Sequence, residues 1–126
     1  MSQPRPTTIL VVEDDPLIRD LTLDMLTDAG YTTNVVYHHS AVRRALAETP
    51  ADLVLSDSGG VWPGDVWAAL DDVRAAAGAT PVVIFSGHPP ARFAGYAARG
   101  FAGVVTKPFD VEQLLAALRA VLDERA

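Results

Sequence analysis

The chain has 126 residues, 49% of them hydrophobic, a size and composition that suit one domain able to bury its own core, taken as 1–126 with the core over about 7–125. With 16 acidic and 10 basic residues the formal charge is -6, which excludes the clustered basic footprint that grips a phosphate backbone, so no direct nucleic-acid contact is expected. Cysteine is absent, which excludes disulfides and thiolate metal sites, and no apolar run approaches the roughly 18–20 residues that span a bilayer.

The first residues, 1–8, are short and polar and lack the apolar stretch of a secretory signal, so the expected compartment is the cytoplasm. The aliphatic run 7–12 predicts a first strand. Asp15 followed by Pro16 then makes an N-cap and first-turn pair, Leu17, Leu21, Met25 and Leu26 form the expected apolar stripe, and Gly30 stops the helix. Residues 31–37 are a weaker strand candidate, and a second helix is predicted from about 40 to 48, ending before Pro50. A strand at 53–56 precedes an Ala-rich helix from about 65 to 77, which Gly78 closes. A strand at 81–85 follows. The segment 88–99 should supply a fourth helix, shortened or weakened by Pro89, Pro90 and Gly95. A fifth strand is expected at 101–106, and Asp110 should cap a last helix in which Val111, Leu114, Leu115, Leu118 and Leu122 recur at helical spacing.

This alternation of five strands with five helices predicts an α/β fold, a doubly wound parallel sheet with helices on both faces. Runs such as Thr-Ile-Leu-Val-Val at 8–12 do not alternate polar with apolar, as befits strands covered on both sides. In such a sheet a site forms beyond the carboxyl ends of the strands, and the acidic residues fall there. Glu13, Asp14 and Asp15 follow the first strand, Asp57 follows the third, Ser86 ends the fourth and Lys107 follows the fifth. Crowded carboxylates repel unless a cation sits among them, and an oxygen-only donor set with open positions suits Mg²⁺. A carboxylate beside a divalent ion and a lysine can attack phosphorus to form an aspartyl phosphate, with a serine hydroxyl bonding one of the transferred oxygens. Taken singly, an acidic run at a helix start is a cap, an Asp after a strand is a turn residue and a Lys before Pro is solvated. Their joint placement on strand ends favours the site. His38, His39 and His88 form no metal pattern and are expected at the surface.

The segments ILVVEDDPLIR (9–19), DLVLSD (52–57), PVVIFSG (81–87) and TKPF (106–109) stand in the order and near the spacing of one family. On them the chain resembles the receiver domain of two-component response regulators over essentially its whole length. The resemblance implies a flavodoxin-like sheet of strand order 2-1-3-4-5. It implies Asp57 as phosphoacceptor and metal ligand, Asp14 as a direct ligand of Mg²⁺, Glu13 acting through water, and the Gly59 main-chain carbonyl completing the protein ligands. Ser86 corresponds to the switch hydroxyl and Lys107 to the phosphate-pairing lysine, while Asp15 is left as helix cap. The Lys107–Pro108 bond is similar to one that the family commonly holds cis.

The implied function is a stand-alone receiver, with no output domain after Ala126, that accepts a phosphoryl group from a histidine kinase or histidine phosphotransfer protein and acts on a downstream protein. A homodimer is compatible with it. Such a chain is not an enzyme beyond slow self-dephosphorylation. The alternative is a non-phosphorylated adaptor with the same fold. A hydrolase or nucleotide-binding enzyme ranks below both, since neither a Gly-rich phosphate loop nor a Gly-X-Ser-X-Gly elbow is present. Two departures from the family pattern stand out. The Pro-Gly turn after Asp57 comes about two residues later than usual, with Trp62 in the loop as a cover for the site or a partner surface, and Val104 replaces the aromatic expected three residues before the lysine.

Overall fold

The computed structural model describes residues 6–57, 67–106 and 110–125. Its strands are β1 (Thr8–Val12), β2 (Thr32–Val36), β3 (Leu53–Ser56), β4 (Val82–Ser86) and β5 (Gly103–Thr106), and its helices are α1 (Pro16–Asp28), α2 (Val42–Glu48), α3 (Trp67–Ala77) and α4 (Val111–Arg125). All neighbouring strands are parallel, in the order β2-β1-β3-β4-β5. The predicted sheet and its strand order are therefore present. No helix among the described residues is long and apolar enough to cross a membrane.

The sheet separates two apolar layers, and each strand feeds both. Ile9 and Val11 of β1 join Leu26, Leu55, Phe85, Leu114 and Leu118 beneath α1 and α4. Leu10 and Val12 face the other way, onto Val42, Val54, Leu70, Val73 and Phe93 beneath α2 and α3. Side chains alternate along a strand, so an uninterrupted aliphatic run is what burial on two faces requires. Each fully buried Leu or Ile contributes about 1.5–3 kcal/mol relative to exposure, and the layers together hold the sheet rigid under its carboxyl edge.

Helix α1 buries a stripe shifted from the one expected, and α4 buries the expected one apart from its first residue. On α1, Leu17 and Leu21 are 67% and 48% exposed, whereas Thr22 and Leu26 are fully buried and Ile18 and Met25 pack at the margin. The helix carries two adjacent faces that qualify by spacing, and docking selects the one through Thr22. Its hydroxyl can lie in the core because it donates to the Ile18 carbonyl one turn back, at 2.7 Å. On α4, Val111 lies outside and Val121 is buried in its place.

The expected fourth of five helices is absent: the described residues contain four α-helices, and between β4 and β5 the chain forms one 3-10 turn, Pro90–Phe93, followed by turns to Gly100. Pro89 and Pro90 suit a first turn, but Gly95 adopts φ +82°, outside the helical range, so the turn that starts at Pro90 does not propagate into a regular ladder. Strand β5 also starts two residues later than expected. Phe101 leaves the ladder to pack in the α3 layer, beside Trp67 at 5.6 Å between ring centroids.

The connector is tied to α3 by side chains rather than by its own backbone. Trp67 meets Phe93 edge to face at 5.7 Å, the Arg99 guanidinium lies 4.1 Å from the centre of the Trp67 ring, and Arg99 also reaches Asp71 at 3.2 Å. Gly100 sits at φ +95°, and a Cβ there would come within 2.9 Å of Arg74 Cδ. Gly100→Ala is expected to lower stability by about 1–2 kcal/mol, and by more than Gly95→Ala, where φ is also positive but the space is open, as read from urea unfolding midpoints.

Candidate functional site

Register brings the acidic residues together. Val12 is opposite Ser56 across the β1–β3 pair, and Ser56 is opposite Ile84 across β3–β4. The next residue on each strand, Glu13 and Asp57, therefore clears the sheet at the same level. Main-chain bonds continue past the strand ends: the Asp57 N–H donates to the Val12 carbonyl at 2.9 Å, and the Glu13 N–H to the Val36 carbonyl at 3.1 Å. One carboxylate oxygen each from Glu13, Asp14 and Asp57 then lies within 4.8 Å of the others.

The three differ in exposure. Glu13 is 2% exposed, Asp57 half-buried and Asp14 exposed, so the group reaches solvent through Asp14. A Glu13 oxygen accepts the Asp15 N–H at 3.3 Å, which ties the turn after β1 to the same carboxylate. Asp15 itself takes no part in the cluster. Its Oδ1 accepts the main-chain N–H of Leu17 at 2.9 Å and of Ile18 at 3.2 Å, capping α1 as predicted, with Pro16 in the first turn. The helix thus starts directly beside the acidic group.

Ser86 is the buried last residue of β4, and its Oγ accepts the His88 N–H at 3.0 Å. It lies on the same carboxyl edge, opposite Thr106 at the end of β5. Gly59, Lys107, the Lys107–Pro108 bond and Trp62 lie outside the described residues. Val104 is half-buried against the α3 layer. One residue was missed by sequence reasoning: Ser56, whose hydroxyl donates to the Asp57 carbonyl at 2.9 Å. The signal was a polar residue closing an otherwise aliphatic strand.

The model of the response regulator receiver domain matches residues 9–119. The chain belongs to this family. An NtrX-like response regulator of Rickettsia bellii is 28% identical over 116 residues, covering 88% of this chain, while the chain spans about a quarter, 24%, of that relative's length. Among solved structures, NtrX of Brucella abortus is 28% identical with a TM-score of 0.81, over 95% of this chain and 27% of that one. The chemotaxis response regulator CheY4 of Vibrio cholerae, 24% identical, covers 93% of this receiver and 99% of its own chain with a TM-score of 0.76, a likeness of fold.

For this receiver, Asp15→Ala is expected to cost about 1 kcal/mol of stability through loss of the cap while leaving the acidic cluster in place; urea unfolding checks the first, and amide shifts of Glu13 and Asp57 the second.

Proposed function

We propose that this receiver takes a phosphoryl group onto Asp57 with Mg²⁺ bound beside it, the donor being a phosphohistidine of a histidine kinase or histidine phosphotransfer protein. The observation that carries the reading is the convergence of Glu13, Asp14 and Asp57 within 4.8 Å in a chain of this family. The donor set fits the ion. All three groups are hard carboxylate oxygens, and opposite ligands of an octahedral Mg²⁺ stand about 4.1 Å apart, so a 4.8 Å spread suits one ion with one donor reached through water. Buried Glu13 is the water-mediated donor, and Asp14 and Asp57 bind directly, with the Gly59 carbonyl as the further protein ligand.

When bound, Mg²⁺ offsets the negative charge on the transferring phosphoryl oxygens. One Asp57 oxygen attacks phosphorus, the new O–P bond forms as the P–N bond breaks, and the bonding pair stays with the departing imidazole nitrogen. The Ser86 hydroxyl donates to a phosphoryl oxygen, and the Lys107 ammonium pairs with another. No turnover of a substrate is required, and hydrolysis of the aspartyl phosphate returns the chain to its starting state. The output is binding of a downstream protein, in the cytoplasm.

Acetyl phosphate is expected to add one phosphoryl group, detected by mass spectrometry, only when Mg²⁺ or a similar ion is present. Asp57→Asn should abolish this, and Asp14→Ala should weaken Mn²⁺ binding far more than Asp15→Ala. Undiminished, hydroxylamine-sensitive phosphorylation of Asp57→Asn, or none of the wild type under any metal, would remove the assignment and leave an adaptor.

Phosphorylation is further expected to register at Ser86 and over 88–99, where turns replace a helix, because Val104 has no ring to reorient. Amide shifts with and without beryllofluoride measure this. Shifts confined to the residues flanking Asp57 would contradict it.

A further inference from the structure

Strand β3 reads Leu-Val-Leu-Ser, and its last side chain is its one polar one. Ser56 is 0% exposed, between Val12 on β1 and Ile84 on β4. By alternation it shares the face of Val54, which packs with Val42, Leu70 and Phe93. A hydroxyl in an apolar layer persists only where it is hydrogen-bonded. The bond it makes is to the main-chain carbonyl of its neighbour Asp57, at 2.9 Å.

Asp57 is the first residue beyond β3, one step past the last Cα pair of the β1–β3 ladder. Its N–H donates to the Val12 carbonyl at 2.9 Å and its carbonyl accepts from Ser56, so the peptide groups on both sides of its Cα are held. These two bonds restrain the dihedrals at Asp57, and so where its Cβ stands. From there one carboxylate oxygen lies within 4.8 Å of an oxygen each of Glu13 and Asp14.

We propose that Ser56 is a positioning residue for the phosphoacceptor: through the Asp57 carbonyl, its hydroxyl aims the Asp57 carboxylate at the position where the divalent ion and the phosphoryl group meet it. This deepens the phosphoacceptor reading and rests on it. A merely structural hydroxyl would contribute to stability and leave the ion indifferent. A positioning one sets affinity and rate.

The test compares the full wild-type chain with Ser56→Ala and Ser56→Thr. Three readouts apply: Mn²⁺ affinity from the electron paramagnetic resonance of the free ion, the rate of phosphorylation by acetyl phosphate at saturating Mg²⁺, and the carbon-13 shift of the Asp57 carbonyl. Removing a group that orients a metal ligand from behind weakens binding by about 10–100-fold, so Ser56→Ala is expected at the lower end, about tenfold, with slower phosphorylation and an upfield carbonyl shift. Ser56→Thr keeps the hydroxyl and should stay within about twofold of wild type. If its added methyl prevents folding, Ser56→Ala decides alone, since the smaller side chain fits the same space. A Ser56→Ala chain of lower thermal midpoint but unchanged Mn²⁺ affinity and rate would overturn the proposal and leave the phosphoacceptor reading intact. A wild type that neither binds Mn²⁺ nor takes up phosphate would overturn both.

Discussion

The contact on which the site depends is the parallel ladder between β1 and β3. Val12 stands opposite Ser56, and the ladder runs one step further, through the bond from the Asp57 N–H to the Val12 carbonyl. Each main-chain bond of this kind is worth only about 0.5–1.5 kcal/mol net, yet the series leaves no freedom of register. A slip of one residue would turn every side chain of β3 to the opposite layer, exchanging Leu53 and Leu55 with Val54 and Ser56. Two groups of acids 43 residues or more apart in the chain are therefore placed side by side by apolar packing well below them.

That division of labour lets the rim carry an arrangement unfavourable in itself. Three carboxylates within 4.8 Å repel one another, and Glu13 is almost wholly removed from water. The layers beneath, with Ile9, Leu26, Leu55 and Leu118 on one side and Leu10, Val54, Leu70 and Phe93 on the other, supply stability that does not depend on the rim. Such a cluster is one that could hold a metal ion. Asp15 contributes to the same economy by turning away from the cluster to cap α1.

The far end of the sheet is built differently. The segment from Pro90 to Gly100 bonds its own main chain only in turns, and Trp67, Phe93, Phe101 and the Arg99–Asp71 pair hold it against α3. Anchoring by a few side chains concentrates the stability of the connector in those contacts, with Phe93 and Phe101 belonging to the core itself. The connector begins four residues beyond Ser86 at the site edge, and the His88 N–H between them bonds the Ser86 hydroxyl.

The amino-acid sequence by itself determined the features that depend on near neighbours along the chain. Aliphatic runs at 8–12, 53–56 and 82–85 announce strands buried on two faces, Asp15-Pro16 announces the start of α1, and acids directly after two strands announce a site on the carboxyl edge. Propensity and spacing carry that information because they act within a few residues. Only the tertiary structure decided which face of α1 is buried, since Leu17 with Leu21 and Ile18 with Thr22 satisfy the same helical period and the choice falls to the sheet that receives them. It also decided that 90–100 remains a series of turns, whose short main-chain bonds are supplemented by an aromatic anchor on α3. The partner of Ser56 was hidden for a similar reason: a serine in a strand is read by its face, but whether its hydroxyl turns to its own main chain depends on the packing of Val12, Ile84 and the layer around it, none of which lies beside it in sequence.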